Sequence, residues 1–245
     1  MTRRAVVLAG GRGSRLAPYT TVLPKPLMPV GERPILEILL RQLGAAGLDD
    51  VTLAVGHLGH LVQAVVGDGS PHGVAVRYHE EEQALGTVGP LASIPDLEGT
   101  FLLVNGDVLT TLDFRGLIRI HQEAGNDLTI ATHRRTVRTD YGVLHTDGPL
   151  GGTNRVVGYD EKPEIGYTVS MGVYVLEPSV VELLRPGARC DFPDLVLALL
   201  ARGAAVGSYA FDGYWLDIGR EEDFRRAQAD ADRVLAGTLP KEPAE

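Results

Sequence analysis

The stretch Leu8–Val30, LAGGRGSRLAPYTTVLPKPLMPV, combines three glycines, two arginines and a lysine set between prolines. It overlaps Ala5–Ala9, a Val- and Leu-rich run too short for a buried helix, which predicts a core parallel strand ended by Gly10-Gly11. Ligands of open α/β sheets bind at the carboxyl ends of strands, and glycine lets backbone N–H groups approach phosphate oxygens closely. The stretch therefore predicts a triphosphate-binding loop. Its cations are Arg12, Arg15 and Lys25.

Two well-known glycine loops do not fit this stretch. A Walker loop requires GxxxxGK[ST], and no Lys-Ser or Lys-Thr follows Gly13 at a usable spacing. A dinucleotide fingerprint requires GxGxxG, but Leu16 stands where the third glycine would be. The second predicted strand also ends in Val55-Gly56-His57 without the acidic residue that binds ribose. A nicotinamide-dependent oxidoreductase is therefore disfavoured.

The pattern G-G-x-G-[ST]-R-L, with P-K-P beginning eight positions later, resembles the signature of the sugar nucleotidyltransferases. A glycine-rich surface turn would explain the glycines but not the prolines on either side of Lys25. The resemblance extends from Val6 to about Ala227. It implies catalytic roles for Arg15 on the leaving phosphates and Lys25 at the α-phosphate or sugar phosphate. The nucleotide-binding residues that it implies in this stretch are Leu8, Gly10, Gly11, Gly13 and Ser14.

Composition limits the classes of partner. The chain has 245 residues, 44% of them hydrophobic, which is ample for the core of one large α/β domain. A net charge of −9 without a run of Lys or Arg argues against a nucleic-acid partner. No segment approaches membrane-spanning length. Cys190 is the only cysteine, which fits a reducing cytoplasm. The oligomeric state stays open, a homo-oligomer included.

Alternating strands and helices in the first half predict a three-layer α/β/α sandwich around a mostly parallel, doubly wound, Rossmann-like mixed sheet. One domain is expected over residues 1–236, with a nucleotide half of about 1–126, a sugar half of about 127–220 and a disordered tail at 237–245. The predicted strands are Ala5–Ala9, Val51–Val55, Val74–Tyr78, Phe101–Val104, Leu128–His133, Tyr141–His145, Arg155–Tyr159, Thr168–Leu176 and Val206–Phe211. The predicted helices include one begun by Pro34, one opened by Gly56–His60, and Ser179–Leu184, Asp194–Arg202 and Glu221–Leu235. Asp191 is expected to help start the helix at Asp194.

The stretch Glu80–Pro90 combines carboxylates with a second glycine turn. In the family that the chain resembles, this region lies against the nucleobase, so Gly86 and Thr87 are expected to bind nucleotide. Glu81 or Glu82 is the candidate base reader, because guanine offers two donors, N1–H and N2–H, whereas uracil and thymine offer one. The appearance is closest to guanylyltransferases that act on mannose 1-phosphate or heptose phosphate. A solvated strand end is the simpler interpretation of the three glutamates.

Two aspartates are the candidate metal ligands. Asp107 follows the strand Phe101–Val104, and a carboxylate there can hold Mg²⁺ together with phosphate oxygens and water. The motif W-x-D-[IV]-G, here Trp215 to Gly219, resembles the second metal motif of the family and assigns Asp217 as the partner. A helix N-cap is the structural alternative for either residue, although Asp113 suits that role better than Asp107.

The second half of the chain is expected to form the sugar side. Tyr141-Gly142-Val143 resembles a family segment whose glycine backbone faces the sugar. The E-K-P at 161–163 resembles another, in which Glu161 would bond sugar hydroxyls and Lys162 would neutralise the sugar phosphate. Ser170 stands where many relatives have asparagine, and this departure leaves the identity of the sugar open.

Together these residues predict a Mg²⁺-dependent enzyme that transfers a nucleoside monophosphate from a nucleoside triphosphate, GTP in preference, to a sugar 1-phosphate. Thymidylyl or uridylyl transfer by the same mechanism is one alternative. A non-catalytic regulatory homologue that binds nucleotide sugars is another.

Overall fold

The computed structural model describes residues 3–81, 83–148 and 151–238. Its strands are β1 Arg4–Ala9, β2 Pro29–Val30, β3 Arg33–Pro34, β4 Asp50–Val55, β5 Ala75–Glu80, β6 Phe101–Asn105, β7 Val108–Thr110, β8 Leu128–Arg138, β9 Val143–Thr146, β10 Val156–Asp160, β11 Glu164–Leu176, β12 Val206–Phe211 and β13 Trp215–Asp217. Its helices are α1 Ile35–Ala45, α2 Gly59–Val66, α3 Phe114–Ala124, α4 Pro178–Val181, α5 Phe192–Ala201 and α6 Glu221–Thr238. Short 3₁₀ turns include Ser14–Leu16, Lys25–Leu27 and Gly89–Ser93.

A seven-stranded sheet in the order β12-β8-β11-β6-β1-β4-β5 forms the centre of the molecule. The neighbours β6, β1, β4 and β5 are parallel, as are β12 and β8, whereas β11 runs antiparallel to both β6 and β8. The predicted mixed, mostly parallel sheet is confirmed. Because β1, β4, β5 and β6 run in the same direction, their carboxyl ends lie at one edge, where the predicted nucleotide residues begin.

Both faces of the sheet are buried. Alternate residues of β1 point to opposite sides, so that Val7 joins the hydrophobic cluster under α1, α2 and α3, and Val6 joins the cluster under α4 and α5. A third cluster lies beneath α6 and contains Leu16, Leu216 and Ile218. Helix α6 therefore holds β13 beside the end of the glycine-rich loop.

Several predicted boundaries were wrong. Pro34 lies just before α1 rather than in its first turn, because it pairs with Pro29 in the short β2–β3 ladder. The predicted helix over 179–184 is only Pro178–Val181, while α5 begins two residues earlier than predicted, where Asp191 and Asp194 form a capping box.

The largest difference concerns β8 and β11, which both extend beyond their predicted ends. Pairing from Glu164↔Arg138 to Thr168↔Arg134 continues beyond the residues that pair with β12, so the two strands leave the sheet as a two-stranded ribbon. We call this ribbon, together with the β9–β10 hairpin, the arm. The predicted strands ended at His133 and began at Thr168, so this part of both strands was not predicted. Cross-strand hydrogen bonding sustains the strands without a buried face.

The two halves of the chain share the one sheet, since β8, β11 and β12 join strands from before residue 126. The division into nucleotide and sugar halves stays a prediction. Helix α6 continues through Thr238, two residues into the predicted tail, and residues 239–245 lie outside the described part of the chain. Within that part, every helix is too short or too polar to cross a membrane.

Burial in the sheet centre predicts a large stability effect for Leu103→Ala. Leu103 is fully buried in β6, so truncation should lower the free energy of unfolding by about 2–5 kcal/mol. The matched control is Leu197→Ala, because Leu197 on α5 is 64% exposed and should change stability by less than about 0.5 kcal/mol. Urea unfolding of both variants measures the difference. Equal losses would contradict the assigned packing.

Candidate active site

The glycine-rich loop follows β1 and borders an open cleft of about 670 Å³. Gly13 adopts φ +61°, and a Cβ there would lie 2.9 Å from Cγ2 of Thr20, whose hydroxyl donates to the Gly13 carbonyl at 2.8 Å. Gly10 has a different constraint, because a Cβ there would lie 2.5 Å from Oε1 of Glu81. Position 13 thus requires glycine for its backbone conformation, whereas a side chain at Gly10 would displace the Glu81 carboxylate from its position against the loop.

All the predicted nucleotide-binding residues that the structure describes line this cleft, and so do three of the predicted catalytic or metal residues. From β1 and its loop come Leu8, Gly10, Gly11, Gly13, Ser14 and Arg15; from the second glycine turn and its approach come Glu81, Gly86 and Thr87; Lys25 and Asp107 complete the set. Glu82, the alternative base reader, lies outside the described residues.

Asp107 and Asp217 are brought together by the short β7–β13 ladder. In its register Asp217 lies opposite Val108, and the Ile218 amide donates to the Asp107 carbonyl at 3.3 Å. Asp107 follows β6 in the sheet, whereas Asp217 ends a strand supported by α6. The ladder therefore fixes two carboxylates that are 110 positions apart in the sequence.

Lys25 bridges the two carboxylates. Its ammonium group donates a close hydrogen bond to Asp107 Oδ2 and lies 3.4 Å from Asp217 Oδ1. The 3₁₀ turn Lys25–Leu27 places Lys25 between the carboxylates, and the two residues after it, Pro26 and Leu27, are buried. Burial raises the pKa of Asp107; the Lys25 charge opposes this rise and the Asp217 charge adds to it.

The aspartate pair has the composition of a divalent-cation site. Oδ1 of Asp107 is buried and makes no hydrogen bond within the described part of the chain. No cluster of three or more His, Cys, Asp or Glu forms among the described residues. Mg²⁺ typically takes one or two carboxylates and fills its other positions with phosphate oxygens and water. The residues present therefore fit such an ion.

Arg15 lies beside this pair. Its side chain is exposed and adjoins Gly219, where a Cβ would lie 3.2 Å from Nη2. Gly219 is two residues after Asp217, so the guanidinium is available to an anionic ligand next to the carboxylates. The absence of a side chain at Gly219 leaves room for this arrangement.

Glu81 lines the cleft at the end of β5, three strand positions away from β6, which Asp107 follows. Its backbone amide extends the sheet by donating to the Val55 carbonyl at 2.9 Å, and its half-buried carboxylate faces Gly10. Burial raises the pKa of Glu81, and a hydrogen bond from the Leu85 backbone opposes the rise. A carboxylate in this position can accept hydrogen bonds from a ligand in the cleft.

The predicted sugar residues do not line the 670 Å³ cleft. Gly142 and Glu161 are brought together on the arm by Tyr159, whose hydroxyl donates to Glu161 at 2.6 Å and fills the space that a Gly142 Cβ would need. Lys162 is exposed with φ +45°. The Ser170 hydroxyl donates to the Tyr174 hydroxyl at 3.0 Å.

Sequence reasoning missed several residues of the cleft. Asp191 was expected only to help start a helix, yet its side chain also accepts a hydrogen bond from the Thr87 amide at 3.1 Å. Neighbouring Arg189 lowers the pKa of Asp191 by hydrogen bonding, and the Thr87 amide contributes to the same shift. No sequence pattern indicated this contact across 104 positions. The other lining residues without a predicted site role are Ala9, Pro26, Gly56, His57, Gln83, Ala84, Asn105 and Arg189.

Comparison with known proteins adds a family assignment. The sequence profile of the family described as nucleotidyl transferase matches residues 4–233. A Mycobacterium tuberculosis mannose-1-phosphate guanylyltransferase is 36% identical over 95% of this chain and 65% of its own length. A Synechocystis UTP–glucose-1-phosphate uridylyltransferase is 31% identical over 91% of this chain and 62% of its own. The chain thus spans less than two-thirds of the length of these relatives.

A solved structure supports the same fold. A Bacillus anthracis protein described as a glucose-1-phosphate thymidylyltransferase, crystallised with sucrose, superposes with a TM-score of 0.74. It is 25% identical, and the match covers 93% of this chain and 94% of that one. The similar proteins thus carry the names of guanylyl, uridylyl and thymidylyl transferases, so these comparisons leave the base of the nucleotide open.

The packing of the second glycine turn predicts that Gly86→Ala is more destabilising than Gly99→Ala. Both glycines have positive φ, +81° and +77°, which costs an alanine about 1–2 kcal/mol. A Cβ at Gly86 would also lie 2.6 Å from the Cys190 carbonyl oxygen, whereas one at Gly99 would meet open space. Urea unfolding should show a larger loss for Gly86→Ala. Similar losses would mean that the turn is not packed against residue 190.

The raised pKa of Glu81 predicts a pH-dependent effect of Glu81→Gln. Its stabilising contribution is fully present below the unfolded pKa and is lost as pH rises through the folded pKa, because the folded state binds the extra proton. The difference in free energy of unfolding, variant minus native, should therefore be more favourable to the variant at about pH 7 than at about pH 4. Unfolding at both pH values measures this change, and a pH-independent difference would contradict it.

Proposed function

Because the chain belongs to the nucleotidyl transferase family, we propose that it transfers a nucleoside monophosphate from a nucleoside triphosphate to a sugar 1-phosphate. The products are a nucleoside diphosphate sugar and pyrophosphate. The observation that carries the proposal is the Lys25–Asp107–Asp217 cluster at the end of a glycine-rich loop. Such a cluster places a cation and two candidate metal ligands beside the loop in which the triphosphate would lie.

GTP is the nucleotide that we propose. A half-buried Glu81 carboxylate, close to Gly10 and facing the cleft, supports this choice, because it can accept from both N1–H and N2–H of guanine. The 36% identity to a mannose-1-phosphate guanylyltransferase supports it as well. For the acceptor we propose a sugar 1-phosphate such as mannose 1-phosphate. A single cysteine in 245 residues supports a cytoplasmic setting.

The chemistry requires positioning more than proton transfer. A sugar phosphate oxygen, already an anion, attacks the α-phosphorus and forms a new P–O bond, while the bond to the oxygen bridging the β-phosphorus breaks. Backbone N–H groups of the glycine-rich loop and Arg15 bind the departing pyrophosphate. Lys25 stabilises charge at the α-phosphate or the sugar phosphate. These fixed charges lower the barrier because they need no rearrangement during the reaction.

Asp107 and Asp217 would hold Mg²⁺, and the orphaned Oδ1 of Asp107 supports this assignment. When bound, the ion neutralises negative charge on the phosphate oxygens. Gly142, Glu161, Lys162 and Ser170 are the proposed sugar-phosphate residues. The Glu161 carboxylate, held by Tyr159, is a suitable acceptor for sugar hydroxyls.

The function is tested by pyrophosphate release with purified protein and Mg²⁺, using ATP, GTP, CTP, UTP and dTTP against a panel of sugar 1-phosphates. We expect release that requires both GTP and a sugar 1-phosphate. Release with UTP or dTTP instead would retain the mechanism and reject the assignment of guanine to Glu81. If nucleotide binds but no pair reacts, the protein is the non-catalytic homologue.

Loss of one charged group should impair turnover strongly. Lys25→Ala and Asp107→Asn should each lower kcat by roughly a hundredfold or more, as expected for removal of one preorganised electrostatic group. The control is Arg119→Ala, because in the described structure Arg119 forms an exposed helical ion pair with Glu123 and no other; this variant should stay within about twofold of the native rate. Melting temperatures measured in parallel distinguish lost catalysis from unfolding. Near-native turnover in either site variant would exclude that residue.

A further inference from the structure

Hydrogen bonds join the second glycine turn, at residues 85–89, to residues 190–191, the segment before α5. The Cys190 amide donates to the Leu85 carbonyl at 2.8 Å, and the Cys190 carbonyl accepts from the amides of Val88 and Gly89 at 3.1 and 3.2 Å. The contact at Gly86 described above leaves no room between the two segments. Turn and segment therefore form one unit at the wall of the cleft.

The side chain of Asp191 completes this unit and has three partners. Oδ1 accepts from the Thr87 amide at 3.1 Å and lies 3.4 Å from the Thr87 hydroxyl. Oδ2 accepts from Arg189 Nη2 at 3.1 Å. The carboxylate also accepts from the Asp194 amide in the capping box of α5.

Helix α5, which follows Asp191, packs against the sheet and restrains the position of this carboxylate. Its residues Phe192, Leu195 and Leu199 are buried in the hydrophobic cluster on one face of the sheet. The ring of Phe192 also stacks on Tyr174 of β11 with centroids 3.8 Å apart. A carboxylate at the N-terminus of α5 is consequently fixed relative to the sheet, and so is any group bonded to it.

From these contacts we propose that Asp191 is a positioning residue for the nucleotide, acting through Thr87. It ties the Gly86–Thr87 turn to the core so that this wall of the cleft is preformed before a nucleotide binds. A preformed wall removes the entropy cost of ordering the turn, which would otherwise weaken binding. The inference rests on the proposed function, since it assumes that a nucleotide occupies the cleft.

If Asp191 were only a helix cap, a different result would be expected. Substitution of Asp194 distinguishes the role of helix cap from the role of positioning residue. Asp194 shares the capping box, accepting from the Asp191 amide at 3.4 Å, and no hydrogen bond joins its side chain to Thr87 in the described structure. Asp194→Ala therefore disturbs the cap alone. Asp191→Ala removes both the cap and the bond to the turn. Asp191→Asn keeps a good cap and an oxygen that can accept from the Thr87 amide.

The experiment compares these three variants with the native protein by amide hydrogen exchange and by kinetics. In Asp191→Ala we expect the Thr87 amide to exchange roughly tenfold faster and KM for the nucleotide to rise roughly tenfold, the value of about one lost hydrogen bond. We expect kcat to change little, because the lost interaction contributes equally to binding in the ground state and in the transition state. Asp194→Ala and Asp191→Asn should both retain near-native exchange at Thr87 and near-native KM.

Three results would overturn the inference. Unchanged Thr87 exchange in Asp191→Ala would show that the bond does not hold the turn. Equal rises in KM for Asp191→Ala and Asp194→Ala would show that Asp191 acts only as a helix cap. Faster exchange at Thr87 without a rise in KM would show that order in the turn does not affect nucleotide binding. Native protein that binds none of the five nucleotides would instead reject the proposed function itself, and the positioning role with it.

Discussion

The contact between Lys25 and Asp107 is the interaction on which the rest of the site depends. Both side chains are largely buried, with 12% and 19% of their surface exposed, so each charge requires the other. Lys25 comes from the loop after β1, Asp107 from the end of β6, and Asp217 from the ladder supported by α6. The pair thus joins the glycine-rich loop, the sheet and the last helix of the described chain at one point.

The cleft has two ends with different physical characters. Around Lys25 the charges are dense and close together, as suits the nucleotidyl transfer proposed above. Around Thr87 the carboxylates of Glu81 and Asp191 border the cleft, and the turn is held by hydrogen bonds to the Asp191 side chain and to the backbone of Cys190. A site with this division can bind the invariant part of its substrate by charge and distinguish the variable part by hydrogen-bond geometry.

The sequence was sufficient for the parts of the site that follow local rules. A short apolar run ended by glycines predicted β1 and the loop after it, and the W-x-D-[IV]-G resemblance predicted that Asp217 belongs with Asp107. Contacts made by packing of distant elements were not predictable. The bond between Thr87 and Asp191 exists because α5 and the second glycine turn share one face of the sheet, and no local pattern records that.

The extension of β8 and β11 into the arm was hidden for a related reason. Its residues lack the alternation of a half-buried strand, since both faces are open to solvent. The pairing partner on the other strand, for example Tyr167 opposite Arg135, stabilises them, and the Arg135 guanidinium also lies over the Trp215 ring, 4.9 Å from its centroid. The pairing partner lies some thirty residues away in the sequence, so the pattern of neighbouring residues does not predict the pairing.

Strand β11 passes from one environment into another along its length. Its first seven residues, 164–170, are exposed or half-buried, whereas its last six, Met171 to Leu176, are fully buried. Substitutions in the outer part create no cavity, so their cost to folding is small compared with those in the inner part. Evolution, or a designer, can therefore revise the arm through many successive changes while the scaffold that holds Lys25 and Asp107 is left intact. The outer and inner parts of a single strand thus differ in how much sequence change the fold tolerates.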